Sequence, residues 1–336
     1  MSTPPQPPSR LKVILTILFH STCAISVTLV SKSALNGADL PVTLLALQTL
    51  VSVCLLAIIG RPLRWIRFYR PLSAWKSTLP LTLARLIGIL AKTLCLAAVN
   101  ASFYQIARGL LLPFTLLLSH LLLRPPPYNP PLALAACFIV MLGFTTGMIS
   151  DIGGMLTSTK GLLLGVGSSF TTAVESVVVK RFLGKGEEGM WQLVFMSSVM
   201  QLFLYAPLFL LSGEAEALGK MTPEVFRGFV TTALATGVAS FCLTLATFLQ
   251  ISVTSPTTHM IVTAARGVAQ SALAVVILGE KVTAGRIMGM GFILGGSVAY
   301  GWAKDRVREQ QREGGYQVVG KEEDVEMGEK VQNLQK

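Results

Sequence analysis

The chain has 336 residues, 52% hydrophobic and only 13% charged, with a mean hydropathy of +0.62. So little polar surface cannot cover a soluble globule, and the chain reads as a polytopic membrane protein. The formal net charge of +11 does not point to nucleic acid, because the basic residues are scattered at segment ends and do not gather on one polar face.

Residues 1–12 form a Pro-rich, polar tail. Apolar runs of about 20 residues, long enough for a hydrocarbon core of roughly 30 Å, follow it. They predict ten transmembrane helices at 13–35, 41–59, 77–98, 101–123, 131–149, 160–182, 190–212, 225–250, 256–278 and 284–302. The first lacks a small-residue cleavage pattern after a short apolar region, so it is expected to be retained and to act as the targeting signal. Asn36 to Pro41, Arg124 to Pro131, Asp151 to Gly154, Gly184 to Gly189 and Thr222-Pro223 read as loops. Residues 303–336 mix both charge signs with Gln and Gly, without apolar periodicity, and are expected to be a disordered tail.

Positive charge alternates along the chain. Arg10 and Lys12 precede the first span, and Arg61, Arg64, Arg67, Arg70 and Lys76 follow the second. Arg124 follows the fourth, Lys180, Arg181 and Lys185 the sixth, and Lys304, Arg306 and Arg308 the tenth. Short basic loops stay cytosolic, which predicts both termini in the cytosol. The opposite side carries Glu214, Glu216 and Glu224. Asn100-Ala101-Ser102 is a formal glycosylation sequon, expected to be unused because it lies against the membrane. The five cysteines fall in separate apolar segments and the three histidines are scattered, so neither disulfide nor metal site is expected. No catalytic motif argues for an enzyme, and no cofactor is implied.

Two Ala-Arg-Gly tripeptides, centred on Arg108 and Arg266, fall in the fourth and ninth spans. The first and sixth spans close alike, with Ser26 to Lys32 and Ser176 to Lys180. These matches divide the chain into repeats at 13–159 and 160–302. Five is odd, so the halves insert in opposite orientations. The predicted architecture is all-α, with ten helices as two inverted five-helix repeats and a site between them. Small-residue pairs at four-residue spacing, Gly143 with Gly147, Gly161 with Gly165, Gly285 with Gly289 and Gly291 with Gly295, read as close helix packing.

An arginine at membrane depth costs at least about 2.5–3.5 kcal/mol and must face a bundle interior or a wet cavity. Arg108 and Arg266 are therefore the leading candidates for binding an anion. His259, Thr263, Arg266 and Gln270 share one helix face; Thr263 and Gln270 read as substrate contacts, with interhelical hydrogen bonding as the alternative. Tyr104, one turn before Arg108, offers a ring or a hydroxyl, or else an interfacial anchor. Arg85 and Lys92 share a face of the third span, and Thr78 and Thr82 extend the row. Glu175, on a face with Ser168 and Thr172, reads as counter-ion to one of the arginines or as a proton-coupling group. Lys32 and Lys180, near helix ends, either snorkel or guide a phosphate.

The stretch Ser102-Phe103-Tyr104-Gln105-Ile106-Ala107-Arg108-Gly109-Leu110 is similar to the Phe-Tyr-Asn-Val-x-Arg-Ser pattern of the nucleotide-sugar and triose-phosphate transporter family, part of the drug/metabolite transporter superfamily. Leu116 to Ser119, Thr254 to His259, Thr263 to Gln270 and Leu294 to Ser297 carry the resemblance further, and within the family it is nearest to GDP-fucose transporters. The resemblance implies ten helices, a Golgi or endoplasmic reticulum membrane, and exchange of a cytosolic nucleotide sugar for a lumenal nucleoside monophosphate. It puts the family's cationic position of the ninth helix on Arg266 and its first-helix lysine on Lys32. Gln105 stands where the family has Asn, Lys92-Thr93 replaces a paired Asn-Asn, and the Gly-Ala-Leu-Asn-Lys signature of GDP-mannose transporters is absent. UDP-sugars and sugar phosphates of the triose-phosphate type remain open as substrates. So do, as other classes, a membrane-embedded enzyme or scaffold, and assembly as a homodimer.

Overall fold

The computed structural model describes residues 10–122, 129–153, 158–183, 190–253 and 256–334, which are entirely helical apart from their connections. The elements are α1 (Arg10–Gly37), α2 (Pro41–Gly60), α3 (Leu72–Ala98), α4 (Ala101–Gly109), α5 (Leu111–Leu122), α6 (Pro131–Gly153), α7 (Thr159–Leu183), α8 (Met190–Leu211), α9 (Glu214–Gly219), α10 (Pro223–Val253), α11 (Pro256–Leu278) and α12 (Ala284–Leu334). Among the described residues, eight helical stretches are long and apolar enough to cross a membrane, α4 and α5 counting together as one. The ninth and tenth expected spans fall on α11 and α12. In α11 the residues whose side chains are described include the apolar stretch Ala265–Leu278.

The expected fourth helix breaks at Leu110, whose N–H bonds back to Ala107 and Arg108 in a tightened turn. Pro113 supplies the reason: it has no N–H for the Gly109 carbonyl. The break follows directly on Arg108. Two further features depart from the sequence reading. The loop after α8 holds the short helix α9. The expected disordered tail instead continues α12 to Leu334, as its Glu, Lys, Gln and Arg content, favourable for helix, permits.

The most extensive helix pairing joins α6 to α12, and glycine makes it close. A Cβ on Gly143 would lie 2.6 Å from the Gly289 carbonyl oxygen, and one on Gly289 would lie 2.5 Å from that of Gly143. Gly147 packs on Ile106 and Gly285 on Ser150, so two of the expected glycine pairs serve packing, and Gly165 abuts Ala107. The pair Gly291 and Gly295 does not, since among the described residues nothing lies within 4 Å of a Cβ placed on either; Gly296 closes that end against Ala136 and Val140. Overpacking costs about 1–3 kcal/mol or more. Gly289→Leu is therefore expected to lower the thermal unfolding midpoint of detergent-purified protein by several degrees, whereas Gly291→Leu leaves it unchanged.

Other pairings come in matched sets: α1 lies along α10 and α3 along α7, α2 pairs with both α10 and α8, and α3 also touches α8. Polar contacts tie helices together at one end of the bundle. Gly213 (φ 76°) and Gly279 (φ 65°) take left-handed conformations that favour glycine, and each turns the chain so that the following glutamate caps a helix. Glu214 accepts from the N–H groups of Val42 and Thr43, both at 2.8 Å, and from the Thr43 hydroxyl at 2.6 Å. Glu280 treats the start of α4 the same way, accepting from the N–H of Ala101 at 2.6 Å, the N–H of Ser102 at 3.0 Å and the Ser102 hydroxyl at 2.6 Å. Carboxylates are well placed at such N-termini, where backbone N–H groups lack helical partners. Beside them Arg286 and Asp151, both fully buried, form an ion pair. Arg286 Nε donates to Asp151 at 3.0 Å, and its Nη1 donates to Ser102 Oγ at 2.6 Å and to the Lys281 carbonyl at 3.2 Å. Full burial of Ser102 deprives the sequon of the exposed loop that an acceptor site needs.

Candidate functional site

A cavity of about 630 Å³ lies inside the bundle between α1, α2, α3, α4, α7, α8 and α10. Its lining runs from Leu44, Leu45, Leu96 and Tyr104, on the side of the tied end, to Leu56, Trp191 and Thr247 near the opposite end. At that opposite end Trp191 stacks on Trp65, their ring centroids 4.8 Å apart. Gln192 exchanges two hydrogen bonds with the Arg67 backbone. The segment 61–71, with Arg61, Arg64, Arg67 and Arg70, is thereby pinned beside the start of α8.

Five of the sequence candidates line the cavity: Arg85 and Lys92 from α3, Tyr104 and Arg108 from α4, and Glu175 from α7. Lys92 and Glu175 form an ion pair at 3.0 Å. Glu175 is thus the counter-ion of a lysine, where the sequence suggested an arginine, although Arg85 is also within its electrostatic reach. Arg108 lies over the Tyr104 ring, 5.8 Å from its centroid, a cation–π contact. Arg266 does not line the cavity but stands close enough to Arg108 and Tyr104 to interact with both. The glycine that follows each arginine is a close-approach position: Gly109 receives Ile293 of α12, and Gly267 receives the Gln105 amide of α4. The two tripeptides therefore bring α4 against α12 and α11.

The remaining candidates are placed differently. Thr263 and Gln270 lie outside the cavity lining, and among the described residues the Thr263 hydroxyl and the Gln270 amide nitrogen are buried without hydrogen-bond partners. Such groups are costly to bury unpaired. Lys32 is buried and donates to the Leu96 carbonyl at 2.8 Å and to that of Ala97 at 3.3 Å, so it satisfies the last turn of α3 and neither snorkels nor faces the cavity. Thr78 and Thr82 donate to carbonyls of their own helix. The side chains of Lys180 and His259 lie outside the described residues.

Sequence reasoning missed much of the cavity wall: Gln48, Thr49 and Ser52 on α2, Ser198 and Gln201 on α8, and Ser240, Thr244 and Thr247 on α10. The available signal was a glutamine within an otherwise apolar span, at Gln48 and at Gln201. Gly88 was missed as well. A Cβ there would lie 2.6 Å from Glu175 Oε2, so the glycine makes room for the carboxylate one turn before Lys92. Gly88→Ala is expected to push Glu175 off Lys92 and to lower transport several-fold, as Glu175→Gln does; initial uptake rates in liposomes measure both.

The charge balance of the site decides its chemistry. Among the described residues, Arg85, Lys92 and Arg108 line the cavity together with one carboxylate, Glu175, and Arg266 stands beside Arg108, leaving an excess of positive charge inside the bundle. In low dielectric, guanidinium forks and an ammonium are matched to a phosphate or diphosphate. Hydroxyl and amide groups on the other walls suit a polar, hydroxyl-rich molecule.

A helical membrane bundle with cations lining an internal cavity has the chemistry to hold an anion. The chain belongs to the Triose-phosphate Transporter family, which it matches over residues 11–301, and it is a transporter. It is 37% identical over 316 residues to an uncharacterized transporter of Schizosaccharomyces pombe, covering 90% of this chain and 77% of the relative. It is 32% identical over 226 residues to the GDP-fucose transporter 1 of Dictyostelium discoideum, covering 66% of this chain and 59% of the relative. A solved crystal structure shares the fold with a TM-score of 0.51 at 17% identity, covering 88% of this chain and 97% of that one.

Proposed function

We propose that the protein is an antiporter that brings a nucleotide sugar, a GDP-sugar such as GDP-fucose foremost, from the cytosol into the Golgi or endoplasmic reticulum lumen and returns a nucleoside monophosphate. The observation that carries the proposal is the cationic cluster of Arg108, Arg266, Lys92 and Arg85 within and beside a cavity whose remaining walls set hydroxyl and amide groups among apolar side chains. A volume of about 630 Å³ falls within the roughly 300–1,000 Å³ of pockets that enclose drug-sized ligands. That favours a nucleotide sugar over a triose phosphate, and the relatives named GDP-fucose transporter favour the GDP-sugar.

The transport cycle in this reading uses ten spans as two inverted repeats, with both termini cytosolic. The matched pairings of α1 with α10 and of α3 with α7 support it, because exchanging the halves maps one pair onto the other. Rocking of the halves around the fixed cations then gives alternating access. The polar ties of Glu214, Glu280 and Arg286 hold the lumenal end, and the basic segment 61–71 flanks the cytosolic mouth.

The test is uptake of labelled GDP-fucose, other GDP-sugars, UDP-sugars and triose phosphate into liposomes that hold purified protein and are preloaded with GMP or UMP. Uptake of a GDP-sugar that requires internal GMP is expected. Uptake of triose phosphate alone, or uptake indifferent to the internal nucleotide, would overturn the proposal.

A further inference from the structure

Gln48 of α2 lines the cavity, and its hydrogen bonds settle which way its amide faces. Its nitrogen donates to Ser31 Oγ on α1 at 3.1 Å and to Thr236 Oγ1 on α10 at 2.9 Å. The Thr236 proton is already committed, since that hydroxyl donates to the Ala233 carbonyl at 2.8 Å. A hydroxyl has one proton, so toward Gln48 the Thr236 oxygen can only accept. A flipped amide would set its oxygen against the Thr236 oxygen, while the Ser31 hydroxyl could serve either orientation. The nitrogen is therefore held by two neighbouring helices. Among the described residues the carbonyl oxygen takes no hydrogen bond, and it is not among the buried unpaired atoms.

We infer that Gln48 is a specificity residue whose fixed carbonyl oxygen accepts a hydrogen bond from an N–H or O–H donor of the transported molecule. The inference rests on the nucleotide-sugar reading and deepens it. The cations bind the diphosphate of any nucleotide sugar and cannot tell one base or sugar from another. A preset acceptor can, because it rewards a donor edge and penalises a ligand that presents an acceptor or a methyl group there. Three parts of a GDP-sugar offer such donors: guanine through its lactam N–H and 2-amino group, the ribose hydroxyls, and the hydroxyls of the sugar.

The experiment measures binding of GDP-fucose, GMP, 1-methyl-GMP and pyrophosphate to detergent-purified wild type, Gln48→Leu and Thr236→Val. Pyrophosphate reads the cationic cluster alone. Loss of one neutral hydrogen bond corresponds to about a three- to tenfold weakening. If the donor is the lactam N–H of the base, wild type prefers GMP to 1-methyl-GMP, and Gln48→Leu loses that preference; if it is the 2-amino group or a ribose hydroxyl, Gln48→Leu weakens GMP, 1-methyl-GMP and GDP-fucose alike and spares pyrophosphate. If the donor is the sugar, Gln48→Leu weakens GDP-fucose and leaves GMP unchanged. Thr236→Val, which keeps Gln48 but frees its amide, gives a smaller loss of the same kind, and pyrophosphate binding stays the same in all three proteins. Wild-type affinity of Gln48→Leu for every ligand would overturn the inference alone. An equal loss for pyrophosphate and the nucleotides would do the same, showing that Gln48 only ties helices together. Failure of wild type to bind any nucleotide ligand would overturn the nucleotide-sugar reading and this inference with it.

Discussion

Replacing Arg108 or Arg266 by alanine is expected to reduce nucleotide-sugar exchange by about ten- to a hundredfold or more, with folded protein still recovered from the membrane. Each charge-assisted hydrogen bond to a phosphate is worth about 1.5–3 kcal/mol, and the two guanidiniums stand near one another across α4 and α11. Arg108→Lys keeps the charge and gives up the planar fork and the fit over Tyr104, so its loss is smaller than that of Arg108→Ala. Initial rates in reconstituted liposomes measure the effect, and size-exclusion and thermal unfolding of the purified variants report folding. Wild-type exchange by Arg108→Ala would remove the cation cluster from the substrate site.

Breaking the Arg286–Asp151 pair is expected to produce the largest stability change. Both side chains are fully buried, and the arginine further ties Ser102 and the Lys281 carbonyl. Removing one member of a buried pair leaves the other charge without compensation, at about 3–5 kcal/mol. Asp151→Leu and Arg286→Leu should each lower the unfolding midpoint strongly and reduce the yield of folded protein. The double variant Asp151→Leu/Arg286→Leu should recover a substantial part of the loss, because no uncompensated charge remains. Thermal unfolding in detergent compares the three, and a double variant no better than the worse single one would argue that the network acts through Ser102 and Glu280 and not through the pair.

Much of this molecule was legible from local chemistry. Hydropathy over about 20 residues places the helices because each span must satisfy its own backbone in lipid, and most observed boundaries lie within a few residues of those read from Asn36, Pro131 or Pro223. Arg108 stood out for the same reason: a cation in an apolar run has few places to go. The break at Leu110 was also written in the chain, in Gly109 and Pro113, although it passed as one continuous span.

Length, hydropathy and isolated charges act residue by residue, so the chain alone defines a helical membrane transporter with cations buried in its interior. The partners of those charges follow from how the helices pack. That packing paired Glu175 with Lys92 and Asp151 with Arg286, turned Lys32 onto the end of α3, and made Gly88 the space for a carboxylate. It also aimed Gln48 through Ser31 and Thr236, residues 17 and 188 positions away in the chain. No spacing along a single helix encodes such contacts, since each depends on which faces of two helices meet and at what height.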